Sequence, residues 1–204
     1  MSYATLREPT STPLHAVEAE AAPGPTLQRV RAEAAVADLL TALGRDITTE
    51  HLADTPRRVA ASLIELLTPT QFTFTTFPND EGYEELVLVR DIPFTSLCEH
   101  HMLPFRGVAH VGYLPRERLV GLSKLARVVD LFARDLQVQE RLTKQVADYL
   151  DERLSPRGVS VVIEAEHTCM TMRGAQATGS TTVTEAYTGE LRPRAMREEG
   201  PTHD

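Results

Sequence analysis

The stretch ELVLVRDIPFTSLCEHHMLPFRGVAHVGYL, residues 85–114, decides how this chain is read. Glu85 to Phe94 is rich in Leu, Val and Ile and reads as a strand running straight toward Cys98. Gly107 to Leu114 carries Val108, His110, Val111 and Tyr113 and reads as a second strand, antiparallel to the first. Between them, Cys98-Glu99-His100-His101 packs a thiol, a carboxylate and two imidazoles into four residues. A loop of reactive groups carried on rigid strands is a common way to build a site. The other cysteine, Cys169, lies in Glu166-His167-Thr168-Cys169, so each cysteine has a histidine two residues away. Thiolate and imidazole are ligands that zinc prefers, and catalytic zinc usually keeps a fourth position for water. Two cysteines and one histidine fill three places. At this level His100 and His101 are interchangeable, and a disulfide or a pair of inert buried thiols stays open as an alternative.

Composition bounds the rest. The 204 residues suffice for one main domain with appendages, and 42% hydrophobic with 25% charged residues is ordinary for a soluble protein. A formal net charge of −8 argues against a nucleic-acid partner, which calls for a basic face. Residues 1–10 lack a basic start followed by an apolar run, and no stretch reaches the length of a membrane span. The expectation is a cytoplasmic enzyme with reduced cysteines, no membrane and no nucleic acid.

Residues 1–26 are rich in Pro, Ala, Glu, Ser and Thr and read as a disordered tail. Residues 27–69 form a helical segment. In it, Leu27 to Leu43 carries apolar residues at helical spacing with Gly44 as its stop, and a second helix starts at Asp54-Thr55-Pro56 with a capping side chain ahead of proline. Thr70 to Gly82 reads as a polar connection. After the two strands, Ser123 opens a helix with Leu125, Val128, Val129 and Phe132 on one face. Another helix runs from Val138 to Leu154. Val159 to Ala165 is a strand that delivers His167 and Cys169 to one face, and Ser180 to Thr188 is a final strand. Residues 70–190 thus read as an α+β catalytic domain with an antiparallel four-stranded sheet, and 191–204 as a frayed tail.

Several long motifs, in order, resemble the GTP cyclohydrolase I family: SLCEHHMLPFRGVAHVGYLP (96–115), GLSKLARVVDLFARDLQVQERLT (121–143) and EAEHTCMTMRGAQ (164–176), with support from DTPRRVA (54–60) and GYEELVLVRDIPF (82–94). The resemblance covers residues 30 to 190. It implies the tunnelling fold: a four-stranded antiparallel sheet with two helices on one side, N-terminal helices ahead of it, and sheets joined between subunits into a barrel. It implies a homodecamer with active sites shared between chains, acting on GTP and water to give 7,8-dihydroneopterin triphosphate and formate, the entry to folate and other pterins.

Residue by residue, the resemblance makes Cys98, His101 and Cys169 the ligands of Zn2+. His100 and His167 become acid–base groups, apt because histidine titrates near neutral pH, and Ser123 assists at the sugar. Lys124, Arg127 and Arg173 match a triphosphate clamp. Glu140 matches the carboxylate that reads guanine, with Gln139 beside it in the substrate pocket. Glu99 receives no role. Without the resemblance, Glu140 reads as an exposed helix glutamate, the three cations as solvated surface charges, and His100 and His167 as orienting partners of a metal site. The match departs from the family after the last strand, where Leu191-Arg192-Pro193 leads into Glu198-Glu199-Gly200-Pro201 in place of a short helix. Two rivals remain: a related zinc enzyme that stops after partial hydrolysis or feeds a deazapurine pathway, and a non-catalytic pterin- or purine-binding module.

Overall fold

The computed structural model describes residues 15–18 and 28–191. Four long strands carry the domain: β3 (Val87–Cys98), β4 (Pro104–Leu114), β7 (Gly158–His167) and β8 (Thr182–Tyr187). They pair antiparallel in the order β3-β4-β7-β8. A two-residue strand, β6 (Leu136–Gln137), adds in parallel to the end of β3, with Leu97 opposite Leu136 and Cys98 opposite Gln137. The first two long strands exceed their expected limits, because β3 continues through the apolar Leu97 to Cys98 and β4 starts at Pro104.

One face of this sheet is the core. Ile92, Phe94, Cys98, Phe105, Ala109, Val111, Tyr113, Val159, Val161, Ile163 and Ala165 are all buried on it. Alternation along each strand puts them on the same side, with a bulge at Arg90–Asp91 keeping β3 in phase. Helices α3 (Leu122–Ala133) and α4 (Gln139–Leu154) cover that face through Leu125, Val128, Val129, Leu142, Val146 and Leu150, all fully buried. Gly107 lies between Phe105 and Ala109 at a point of close strand approach: a Cβ there would stand 1.8 Å from the Glu164 carbonyl oxygen.

A second sheet, in the order β1-β2-β5, joins His15–Glu18, Thr73–Pro78 and Arg118–Val120. It corrects two expectations. The connection 70–82 contains strand β2, whose Phe74 is buried in the core while Thr73 is exposed. The tail expected to be disordered contains strand β1, stabilised by main-chain pairing from His15↔Thr76 to Glu18↔Thr73, which composition does not reveal. The remainder of 1–27, and 192–204, lie outside the described residues. Leu191, the first residue of the expected frayed tail, is buried in a 3-10 turn (Gly189–Leu191).

Helix α1 (Arg29–Ala42) ends as the sequence suggests, with Gly44 at φ +74°. None of its residues is buried, and Val30, Leu39 and Leu43 are exposed. Helix α2 (Thr55–Leu66) starts at Asp54, yet the Asp54 carboxylate makes no cap and instead receives Arg57 and Arg58 at 3.2 and 3.3 Å.

Candidate metal centre and surrounding site

The two cysteine segments meet at one end of the sheet. The register of β4 against its neighbours sets Phe105 beside both Ser96 and His167, so the ends of β3 and β7 flank the same strand. Cys98 is the last residue of β3. The chain then turns through residues 99–103, with the Cys98 carbonyl accepting from the His101 and Met102 amides and Met102 in the left-handed region. Cys169 does not extend β7, as the sequence suggested. It lies in a single helical turn, α5 (Thr168–Thr171), so His167 and Cys169 are not alternate residues of one strand. That turn is pinned by the Thr168 hydroxyl donating to the Pro104 carbonyl and the Thr171 hydroxyl to Glu166.

The donor atoms of Cys98, His101 and Cys169 lie within 4.8 Å of one another. Ordinary Zn–S and Zn–N lengths give tetrahedral edges of about 3.8 Å between sulfurs and about 3.6 Å between sulfur and nitrogen. Cys98 Sγ stands 3.9 Å from His101 Nδ1, so the set is close to that size. Burial pushes the Cys169 thiol up, the neighbouring Cys98 adds to the rise, and Arg173 opposes it. Two adjacent thiols resist joint ionisation unless a cation lies between them, and a divalent ion supplies that charge. The donor chemistry fits a thiolate-binding metal. His100 Nδ1 lies as near Cys98 Sγ, at 3.8 Å, but the cluster that also includes Cys169 is formed with His101; the His100 Nε2 is 3.7 Å from a Glu99 carboxylate oxygen.

His167 is held from two sides. Its ring stacks on Phe105 with centroids 4.6 Å apart and planes 4° from parallel. Its Nε2 is 2.8 Å from Gln139 Oε1. The Gln139 amide nitrogen donates to the carbonyls of Ile163 and Thr182, both at 2.9 Å. The amide oxygen therefore accepts, Nε2 carries the proton, and the neutral ring leaves Nδ1 free as a base. Burial lowers the His167 pKa, with Glu140 opposing. Gln139, expected in the substrate pocket, is only 1% exposed, and its side chain bonds to His167 and to two main-chain carbonyls. Sequence reasoning missed this role, and no local signal carried it. Glu140, the next residue, is exposed and lies along an open cavity of about 690 Å³ between α4 and β8.

The structure does not bring Ser123, Lys124 and Arg127 to this cluster. Ser123 and Lys124 lie in the first turn of α3 and Arg127 in the second; the helix follows β5, where the Val120 amide donates to the Tyr113 hydroxyl. Tyr113 pairs with Val87 at the opposite end of the sheet from Leu97 and Pro104. From Phe105 to Tyr113 a strand spans about 27 Å at roughly 3.4 Å per residue. Arg173, by contrast, lies near enough to Cys169 to affect its charge. Within one chain the expected site residues thus form two groups at opposite ends of the sheet.

A soft-metal donor set at the strand ends of an antiparallel sheet, with an anchored histidine beside it, defines an α+β protein with a candidate metal centre. The sequence model of the family described as GTP cyclohydrolase I matches residues 32–201. The chain belongs to the GTP cyclohydrolase I family. It is 55% identical over 169 residues to GTP cyclohydrolase 1 of Allorhizobium ampelinum, covering 80% of this chain and 84% of the relative. It is 51% identical over 172 residues to the proteins of that name from Brucella canis and Brucella abortus, covering 82% of this chain and 81% of each. Among solved structures, the archaeosine synthase QueF-Like in its apo form superposes with a TM-score of 0.43 at 17% identity. That match covers 51% of this chain and 93% of the other, and nothing about function follows from it.

Proposed function

We propose that this protein converts GTP and water into 7,8-dihydroneopterin triphosphate and formate, as a zinc-dependent GTP cyclohydrolase I of pterin and folate biosynthesis in the cytoplasm. The observation that carries the reading is the meeting of Cys98, His101 and Cys169 beside an anchored His167, in a family member. Zinc held by those three residues would supply a nucleophile from water at neutral pH. Among the described residues, no helix is long and apolar enough to cross a membrane.

The chain's own residues do the remaining work. His167, with Nε2–H held by Gln139, offers Nδ1 to accept and return a proton as the guanine imidazole ring opens and formate leaves. His100, exposed at the mouth of the cluster, is the second proton carrier. Glu140 accepts from the N–H donors of guanine, a charge-assisted pairing that selects the base. Ser123 acts at the sugar, while Lys124, Arg127 and Arg173 hold the triphosphate.

The separation of these groups implies how the enzyme works as an assembly. Ser123 and Lys124, in the first turn of α3, stand toward the far end of a sheet about 27 Å long from the metal centre of their own chain, with Arg127 about one turn further along the helix. A neighbouring copy supplies them, which requires subunits joined sheet to sheet into a barrel, as in a homodecamer. The uncovered apolar residues of α1, the β8 edge and the part of the β3 edge before its pairing with β6, each without a strand partner among the described residues, support assembly.

The deciding experiment incubates purified, zinc-loaded protein with GTP and measures formate and, after oxidation, pterin fluorescence. Both products in equal amounts are expected. Formate without pterin would indicate an enzyme that stops after hydrolysis; neither product, with GTP or pterin still bound, would indicate a binding module.

A further inference from the structure

Glu99 and Arg141 lie outside every role given above, yet they are connected to the site. Arg141 is anchored on its own side of the cleft: its Nε donates to Gln137 Oε1 at 2.9 Å and its Nη2 to the Leu136 carbonyl at 2.8 Å. Gln137 is buried, and its amide nitrogen donates to the Phe132 carbonyl and to Gln145 Oε1, so its oxygen is committed to Arg141. From this fixed position the Arg141 guanidinium reaches across to Glu99 Oε2. The Glu99 amide also donates to the Gln137 carbonyl at 3.0 Å, which ties the metal-bearing turn to β6 twice. The second carboxylate oxygen, Oε1, is 3.7 Å from His100 Nε2. On its other side His100 turns Nδ1 toward Cys98.

We propose that Glu99 and Arg141 are positioning residues for His100. Arg141 fixes the carboxylate, and the carboxylate sets which edge of the imidazole faces the metal ligands and which faces away. An ion pair as exposed as this contributes little to stability, so its consequence is geometric. The first turn of α4 then governs both histidines: Gln139 holds His167 directly, and Arg141 holds His100 through Glu99. The inference rests on the proposed role of His100 in turnover.

The test compares Glu99→Gln, Arg141→Gln, His100→Ala and the double variant Glu99→Gln/His100→Ala in the assembled, zinc-loaded protein. Loss of a partner that orients a site imidazole typically lowers activity about 10- to 100-fold. Glu99→Gln and Arg141→Gln should each lower kcat by that order, with KM for GTP and zinc content near the wild-type values. In the His100→Ala background, Glu99→Gln should change kcat less than about two-fold, because the group it acts through is gone. A full effect persisting in that background, loss of zinc in Glu99→Gln, or unchanged kcat in both single variants would overturn the proposal. Should Glu99→Gln fail to assemble, Arg141→Gln and its double with His100→Ala carry the same comparison. Wild-type protein that releases no formate overturns the proposed function itself; wild-type turnover with an equally fast Glu99→Gln variant overturns only the positioning role.

Discussion

Replacing Gln139 with leucine tests the link between the core and the chemistry. The side chain is 1% exposed and makes three hydrogen bonds, to the Ile163 and Thr182 carbonyls and to His167 Nε2. Leucine fills nearly the same volume, so the change removes hydrogen bonds without opening a large cavity. Each buried polar group left unpaired costs about 1–3 kcal/mol. The two carbonyls have a second lone pair and His167 is only half-buried, so the low end applies, giving about 2–4 kcal/mol in all. For a chain of this size each kcal/mol moves Tm by about 2–4 °C, so a fall of about 4–16 °C is expected. Thermal unfolding at fixed protein concentration reads it, since assembly makes Tm concentration-dependent. With its Nε2 released, His167 keeps only its stack on Phe105 and can swing, and misplacement of a reacting group costs on the order of 10²-fold. The expected kcat is therefore about 10- to 100-fold below wild type at a temperature where both proteins are folded. A Gln139→Leu protein that melts within about 1 °C of wild type and turns over at the wild-type rate would refute the reasoning. A large drop in Tm with unchanged kcat would show that Gln139 supports the sheet but does not hold a catalytic histidine.

Four further outcomes follow from the geometry. Cys169→Ser should lose the metal and the activity while keeping the fold, and full zinc content by elemental analysis would remove Cys169 from the ligand set. Glu140→Ala should weaken GTP and shrink its preference over inosine triphosphate, which lacks one donor; a hydrogen bond to a charged group is worth about 1.5–3 kcal/mol, and kcat/KM for the two nucleotides measures it. Mixing inactive Cys98→Ser chains with inactive Lys124→Ala chains, through dissociation and reassembly, should restore about a quarter of wild-type activity if each site joins a metal set to a neighbour's clamp; no recovery would place both groups in one chain. Gly107→Ala should destabilise by at least about 2–3 kcal/mol, because its Cβ would meet the Glu164 carbonyl and force β4 from β7; unfolding midpoints near wild type would contradict the strand spacing.

Much of this was legible in the residues because it is local. The β-rich runs, the Gly44 stop, the helix start at Asp54-Thr55-Pro56 and the apolar faces of α3 and α4 follow from neighbours a few positions apart. Strand β2 was missed because Thr73–Pro78 is short, threonine-rich and ended by proline, so it reads as a connection until Phe74 is seen in the core. Cys169 was misplaced on a strand because alternation continues on paper past His167, whereas the chain turns into α5.

The sequence by itself determined the donor types, the strands that carry them and, through its motifs, the family. Only the tertiary structure decided which groups meet. Sequence spacing treats His100 and His101 alike; in the turn after β3 both rings approach Cys98, but only His101 also clusters with Cys169, while His100 lies between Cys98 and Glu99. Gln139 and Glu140 are adjacent in the chain, but helical geometry buries the first under the sheet and leaves the second on the open side. Ser123 and Lys124 follow Cys98 by two strands, β4 and the short β5, and β4 carries the chain to the far end of the sheet, since an extended chain advances about 3.4 Å with every residue. The site is therefore divided by the length of β4, a physical distance that no local pattern records.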